Sequence, residues 1–282
     1  MTLDRLRSPS GTFRVLAIDH RDSLRRFLAP QAPASVTTDD IVALKRTLVR
    51  AVSAMATGVM LEPEYSIPSI VGDLAPGVGF FAALEAQGYL DDPAGAVTSV
   101  MPGWSPAAAV AAGADCAKLL LPFHPDRSTA AAQVAVGAEV VAECRRVGIP
   151  VVLEPLFFDL DDPADRRRVV RATAEQFAAL GPDLLKLPFP VDPELVTDRA
   201  ERVAACRAIT SVCSQPWAIL SGGGSFELFE AQVVDACEGG ASGFMVGRAL
   251  WAEAARAHGA ERDRAITELV LPRWQRLVDR TS

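Results

Sequence analysis

The sequence predicts a single (β/α)₈ barrel over residues 1–282, an α/β fold. Two observations lead there. Short β-rich runs recur about eight times, each followed by an Ala/Leu-rich stretch with helical spacing, which is the pattern of repeated βα units. A chain of 282 residues is also close to the length one such barrel occupies, and with 50% hydrophobic and 6% aromatic residues it suits helices packed on a buried sheet. A doubly wound open sheet is the alternative, but no GxGxxG fingerprint follows the first strand.

In chain order, the expected strands are Phe13 to Asp19, Gly58 to Glu64, Gly79 to Leu84, Asp115 to Pro122, Ile149 to Glu154, Asp183 to Pro188, Trp217 to Ser221 and Ser242 to Gly247. The helix predicted at Thr38 to Met55 carries Asp39 and Asp40 near its start, where carboxylates favour the positive end of the helix dipole. Helical spacing returns at Ser128 to Val147, Asp162 to Leu180, Asp198 to Cys213 and Phe226 to Glu238. Between these units lies no long linker or low-complexity tract, so one domain is expected.

A net charge of −7 disfavours a broad polyanion-binding surface, and no nucleic-acid partner is expected. No apolar run reaches the length of a membrane span, and the charged start at Asp4, Arg5 and Arg7 is unlike a signal peptide. Cys116, Cys144, Cys206, Cys213 and Cys237 are odd in number, scattered and free of a CxxC pair, which points to reduced thiols and a cytoplasmic protein. Barrels of this kind often self-associate, with Phe13, Trp104 or Trp274 as candidate anchors for a homo-oligomer.

Barrel active sites sit at the C-terminal ends of the strands, so charged residues late in apolar strands are the candidates for the chemistry. Lys118, Glu154 and Lys186 are such residues, on three consecutive strands. An interior ion-pair network would explain them, since buried charges are normally paired whatever their function. They also form the constellation that Schiff-base chemistry needs. A second ammonium nearby disfavours protonation of a lysine, the neutral amine attacks a carbonyl, and the carboxylate moves protons.

A second constellation closes the chain: Ser221-Gly222-Gly223-Gly224-Ser225 follows the seventh strand and Gly247-Arg248 the eighth. Glycines let backbone N–H groups approach an anion, a following helix adds its dipole, and Arg248 would clamp a phosphate; a plain strand-to-helix turn would account for the glycines alone. The first strand ends in Ile18-Asp19-His20-Arg21-Asp22, where Asp19 either bonds a substrate hydroxyl or positions a lysine, or else caps a helix over Ser23 to Phe27. Glu62 and Glu64 end the second strand, one expected to face the site and the other a surface salt bridge. With only His20, His124 and His258, and no HxH or HExxH spacing, a zinc-dependent mechanism is disfavoured; neither metal nor cofactor is expected.

Leu16 to Arg21, Leu61 to Tyr65, Leu153 to Leu156, Asp183 to Lys186 and Gly240 to Trp251 together resemble the tagatose-1,6-bisphosphate aldolase family, with the related sulfofructosephosphate aldolases, over nearly the whole chain. The last motif, with Leu220 to Gly223, is the most specific. This resemblance implies a metal-free class I aldolase on a (β/α)₈ barrel. By it Lys186 matches the Schiff-base lysine, Glu154 the catalytic carboxylate, Lys118 the second active-site lysine and Asp19 the first-strand aspartate. Ser221, Gly222, Gly247 and Arg248 match the site for the 1-phosphate of a ketose, and His20 and Arg21 fall at the other end of the substrate, where a C6 phosphate or sulfonate would lie. The departures fall there too: His20-Arg21-Asp22 stands where the tagatose-bisphosphate enzymes tend to have Gln-Arg-Gly, and Glu62 where Asp is commoner. The implied partner is a small sugar phosphate. A related Schiff-base lyase, a transaldolase-like enzyme or a non-catalytic sugar-phosphate sensor would use the same residues.

Overall fold

The structure, a computed structural model, describes residues 3–89, 91–92 and 95–281. Eight parallel strands close into a barrel in sequence order: β1 (Phe13–Ala17), β2 (Gly58–Leu61), β3 (Gly79–Ala83), β4 (Cys116–Pro122), β5 (Val151–Leu156), β6 (Leu184–Leu187), β7 (Trp217–Leu220) and β8 (Gly243–Val246). All eight expected strands are present, most trimmed by one to three residues. β1 and β8 pair directly, with Val15 opposite Met245, and this pairing closes the ring.

The helices are α1 (Asp22–Leu28), α2 (Thr38–Val52), α3 (Ser66–Ile70), α4 (Pro106–Ala111), α5 (Ala130–Val147), α6 (Arg166–Ala178), α7 (Arg199–Thr210), α8 (Phe226–Glu238), α9 (Arg248–Arg256), α10 (Gly259–Ala265) and α11 (Leu271–Arg280). In α2 the capping box is complete: the Thr37 hydroxyl accepts from the Asp40 N–H while the Asp40 carboxylate accepts from the Thr37 N–H. Ile41, Leu44, Leu48, Val49 and Val52 follow at helical spacing and bury one face on the barrel. The segment expected as one helix from Asp162 begins instead with a 3₁₀ turn at Pro163–Asp165 before α6.

Alternation along the strands divides the core in two. Ala117, Leu119 and Leu121 of β4, Leu153 of β5 and Leu185 and Leu187 of β6 point outward under the helices. Cys116, Val152 and Leu184 point into the barrel, where they pack with Phe13, Val15, Met60, Phe81, Ala218 and Met245. Leu6, in a 3₁₀ turn before β1, joins this inner cluster next to Gly79, where an added Cβ would lie 2.3 Å from Leu6 Cδ2. The N-terminal end of the barrel is thereby filled with hydrocarbon.

Side chains on a strand repeat every second residue, so the inward position after Cys116 is Lys118, after Val152 it is Glu154, and after Leu184 it is Lys186. Three adjacent strands thus carry an apolar residue in the barrel floor and a charged one directly above it, toward the C-terminal mouth. Phe13 and Trp274, read as interface anchors, are fully buried in the core, and Trp104 is partly buried with its indole N–H donating to the Ala83 carbonyl at 3.1 Å. Their sequence signal is that of packing. Among the described residues no helix is long and apolar enough to cross a membrane.

Candidate active site

At the C-terminal mouth, Lys118 is the hub of a buried charge cluster. Its Nζ lies 2.8 Å from Asp19 Oδ2, 2.8 Å from Glu85 Oε1 and 3.0 Å from Glu154 Oε2. Burial alone would lower the pKa of this amine, but Asp19, Glu154 and Glu85 more than offset that and hold it well above the ordinary lysine value. Lys118 is a fixed ammonium. Asp19 is the converse: burial would raise its pKa, and Lys118 and Lys186 hold it below the usual carboxylate range.

Glu154 joins the two lysines. Its Oε1 sits 2.8 Å from Lys186 Nζ, while Oε2 is within ion-pair distance of Lys118 but has no aligned hydrogen bond. Oε2 itself is enclosed within the cluster. Lys186 otherwise touches Met60 Sδ, at 3.7 Å.

The cleft above is lined by Lys186, Glu154, His20, Ser23, Tyr89 and Arg248, by the β7 loop Ser221, Gly222 and Gly223, and by apolar side chains that include Leu156 and Phe158. Gly222 and Gly223 both have positive φ, 57° and 82°, a region that disfavours other residues. A Cβ on Gly223 would lie 3.2 Å from Arg248 Nη2, so the missing side chain is what lets the guanidinium lie along the loop. Ser221 Oγ accepts from the Gly247 N–H at 3.2 Å and ties the two loops together. Arg248 opens α9. Burial lowers its pKa, it has no carboxylate partner among the described residues, and its Nε is buried without an acceptor. An uncompensated guanidinium at a helix start beside glycine N–H groups has the chemistry to hold an anion.

His20 is half-buried beside Gly247, where an added Cβ would lie 3.1 Å from His20 Cε1, and stands edge-on to Trp251 with ring centroids 5.4 Å apart; it is thus next to Arg248 and not at the far end of the cleft, where the resemblance put it. Burial first, then Arg248 and Lys186, push its pKa down to about 3, against the pull of Asp19, so the imidazole is neutral; its Nδ1 is enclosed without a partner.

Of the residues singled out in the sequence, Lys186, Glu154, His20, Ser221, Gly222, Gly247 and Arg248 line this cleft, and Asp19 and Lys118 lie directly beneath it. Asp19 does not cap α1; its carboxylate is on Lys118. Arg21, expected at the far end of the substrate, is 1% exposed and turned away, donating to the Glu85 carbonyl at 2.6 Å. Neither strand-two glutamate lines the cleft. Glu62 is fully buried, paired with Lys45 at 2.5 Å and accepting from the N–H groups of Glu64, Tyr65 and Ser66, whereas Glu64 is exposed. Glu85, Ser23, Tyr89 and Phe158 were not anticipated. Glu85 had a readable signal, a lone charge directly after the apolar run Phe80 to Leu84. The chain contains only three lysines, Lys45, Lys118 and Lys186, and all three are at least 95% buried.

Fold and site together define a (β/α)₈ barrel whose C-terminal mouth gathers in one cleft a lysine, a carboxylate and an arginine without a carboxylate partner among the described residues. The family model for DeoC/LacD family aldolases matches residues 13–253. The tagatose 1,6-diphosphate aldolase of Listeria monocytogenes is 28% identical, over 94% of this chain and 85% of that protein. The enzyme of the same name from Streptococcus pneumoniae is 29% identical, over 94% and 88%. An archaeal fructose-1,6-bisphosphate aldolase, solved with its catalytic Lys bound to the carbinolamine intermediate, superposes with a TM-score of 0.65 at 21% identity over 95% of this chain and 97% of that one; a likeness at this identity speaks for the fold. The chain belongs to the DeoC/LacD aldolase family, and its reaction class is that of an aldehyde-lyase.

Proposed function

We propose that the protein is a Schiff-base aldolase that cleaves a ketose 1-phosphate to dihydroxyacetone phosphate and a three-carbon aldehyde, with Lys186 as the nucleophile. The observation that carries this reading is the Glu154 carboxylate bridging Lys186 and the permanently charged Lys118 in the same cleft as the unpaired Arg248. An ion-pair network serving stability alone would leave no reason for an uncompensated guanidinium above it.

The substrate 1-phosphate sits between Arg248 and the N–H groups of the Ser221 to Gly223 loop, which brings the C2 carbonyl to Lys186. Lys186 Nζ passes a proton to Glu154 as it adds to C2, and Glu154 hands that proton to the departing hydroxyl, so that loss of water gives an iminium. Glu154 accepts the C4 hydroxyl proton as the C3–C4 bond breaks. The aldehyde leaves, and the bonding pair moves to C3 and into the iminium to give an enamine. Protonation at C3 and hydrolysis by water then return Lys186 and release dihydroxyacetone phosphate. Lys118 stays charged throughout and holds Asp19, Glu85 and Glu154 in place.

Incubation with dihydroxyacetone phosphate and borohydride, followed by intact mass and peptide mapping, tests the assignment. A reduced adduct on Lys186 is expected. An adduct elsewhere, or none while phosphate still binds, would transfer the protein to the non-catalytic sugar-phosphate binders.

A further inference from the structure

The cleft is built to neutralise one anion. Every Lys, Arg and His of the chain lies within the described residues, and those that line the cleft are Lys186, His20 and Arg248. Lys186 lies against Glu154 and is the group that meets the carbonyl. His20 is held neutral, since burial pushes its pKa down to about 3. Arg248 remains, and the 1-phosphate occupies it.

Cations on adjoining segments are already committed. Arg21 is enclosed with Glu85, Arg127 pairs with Asp159 at 2.7 Å, and Arg26 pairs with Asp91. A neighbouring cavity behind Ser221 and Gly222 contains Arg166, but Asp192 and Glu194 line it as well, so its balance is negative. The remaining cleft wall is largely apolar, with Leu156 and the Tyr89 and Phe158 rings, whose centroids lie 6.0 Å apart. A phosphate or sulfonate at the far end of the ketose would lose hydration there, close to the Glu154 carboxylate, and gain no cation in return.

We infer that the aldehyde half of the substrate is uncharged, so that the natural substrate is a ketose monophosphate whose far end packs on Leu156, Phe158 and Tyr89. This rests on the Schiff-base reading above and narrows its substrate class. The C6 phosphate or sulfonate implied by the sequence resemblance has no counterpart in the cleft.

The test runs in the condensation direction with dihydroxyacetone phosphate as donor. Lactaldehyde and glyceraldehyde are compared with glyceraldehyde 3-phosphate and 3-sulfolactaldehyde, and borohydride trapping of Lys186 is measured on the same preparation. The neutral aldehydes should be preferred in kcat/KM by at least about tenfold. An adduct on Lys186 together with equal or better use of a charged aldehyde overturns this inference and leaves the aldolase mechanism standing. No adduct and no condensation with any acceptor overturns the mechanism, and the inference falls with it.

Discussion

Lys118 Nζ and Asp19 Oδ2 meet at 2.8 Å although 99 positions separate them in the chain. This contact joins the end of β1 to β4 across the barrel mouth. Because Glu85 and Glu154 share the same ammonium, three buried carboxylates depend on one side chain. Lys118→Met should therefore destabilise the protein by about 3–5 kcal/mol, the range for breaking a buried ion pair. Urea denaturation of the variant measures it, and a variant as stable as the parent would remove Lys118 as the hub.

Lys186 stands differently, because Glu154 keeps Lys118 as a partner when Lys186 is lost. Lys186→Met fills a similar volume beside Met60 and should fold with little loss of stability, yet lower kcat by more than about a thousandfold and abolish the borohydride adduct. Circular dichroism melting alongside steady-state rates separates the two effects. Retained cleavage would falsify the assignment of the nucleophile.

Arg248→Gln removes the guanidinium charge and leaves the glycine loop intact. Loss of a charge-assisted hydrogen bond is worth about 1.5–3 kcal/mol, so KM for a ketose 1-phosphate should rise by roughly 10- to 150-fold. Inorganic phosphate should raise the melting temperature of the parent and not of the variant. Equal stabilisation of both would place the phosphate elsewhere.

Acid stability should carry the mark of His20. Its folded pKa of about 3 lies below the ordinary histidine value of 6.5, so the unfolded chain takes up a proton first as the pH falls. The contribution is absent above pH 6.5 and becomes increasingly destabilising from there toward pH 3. Asp19, whose pKa is depressed, adds a loss only below the ordinary carboxylate value of 3.8. Between pH 6.5 and 4 the parent should therefore lose more stability than His20→Asn, read as the difference between their denaturation midpoints at pH 7 and pH 4.5. Parallel curves would mean that His20 is protonated in the fold.

The barrel was legible because each strand is apolar on both faces and is followed by turn chemistry and a helical stretch. Lys118, Glu154 and Lys186 were legible for the same reason, since a charge at an inward position stands out from its neighbours. Side-chain direction beyond the strand ends was not legible. Arg21 and His20 are adjacent in sequence, yet one is turned beneath the floor and the other forms the wall, a choice made by the Glu85 carbonyl and by Trp251 from distant segments. Lys45 lies on the buried stripe of α2, where its position reads as an ordinary polar residue until Glu62 is placed against it. Glu85 follows a strand that gives no hint of turning, and its place is fixed by bridge pairing with Val100 and by the Leu120 N–H donating to its side chain.

An aldolase releases reactive carbonyl compounds into the water around its own surface, where exposed amines would condense with them. Here the described surface offers guanidinium groups instead, since all 25 arginines are accompanied by just three lysines, each enclosed. Guanidinium remains protonated at any physiological pH and is a poor partner for a simple aldehyde. Apart from a chain terminus, the amine that lines the cleft is Lys186, so on the proposed mechanism imine formation would be confined to the position where it turns over.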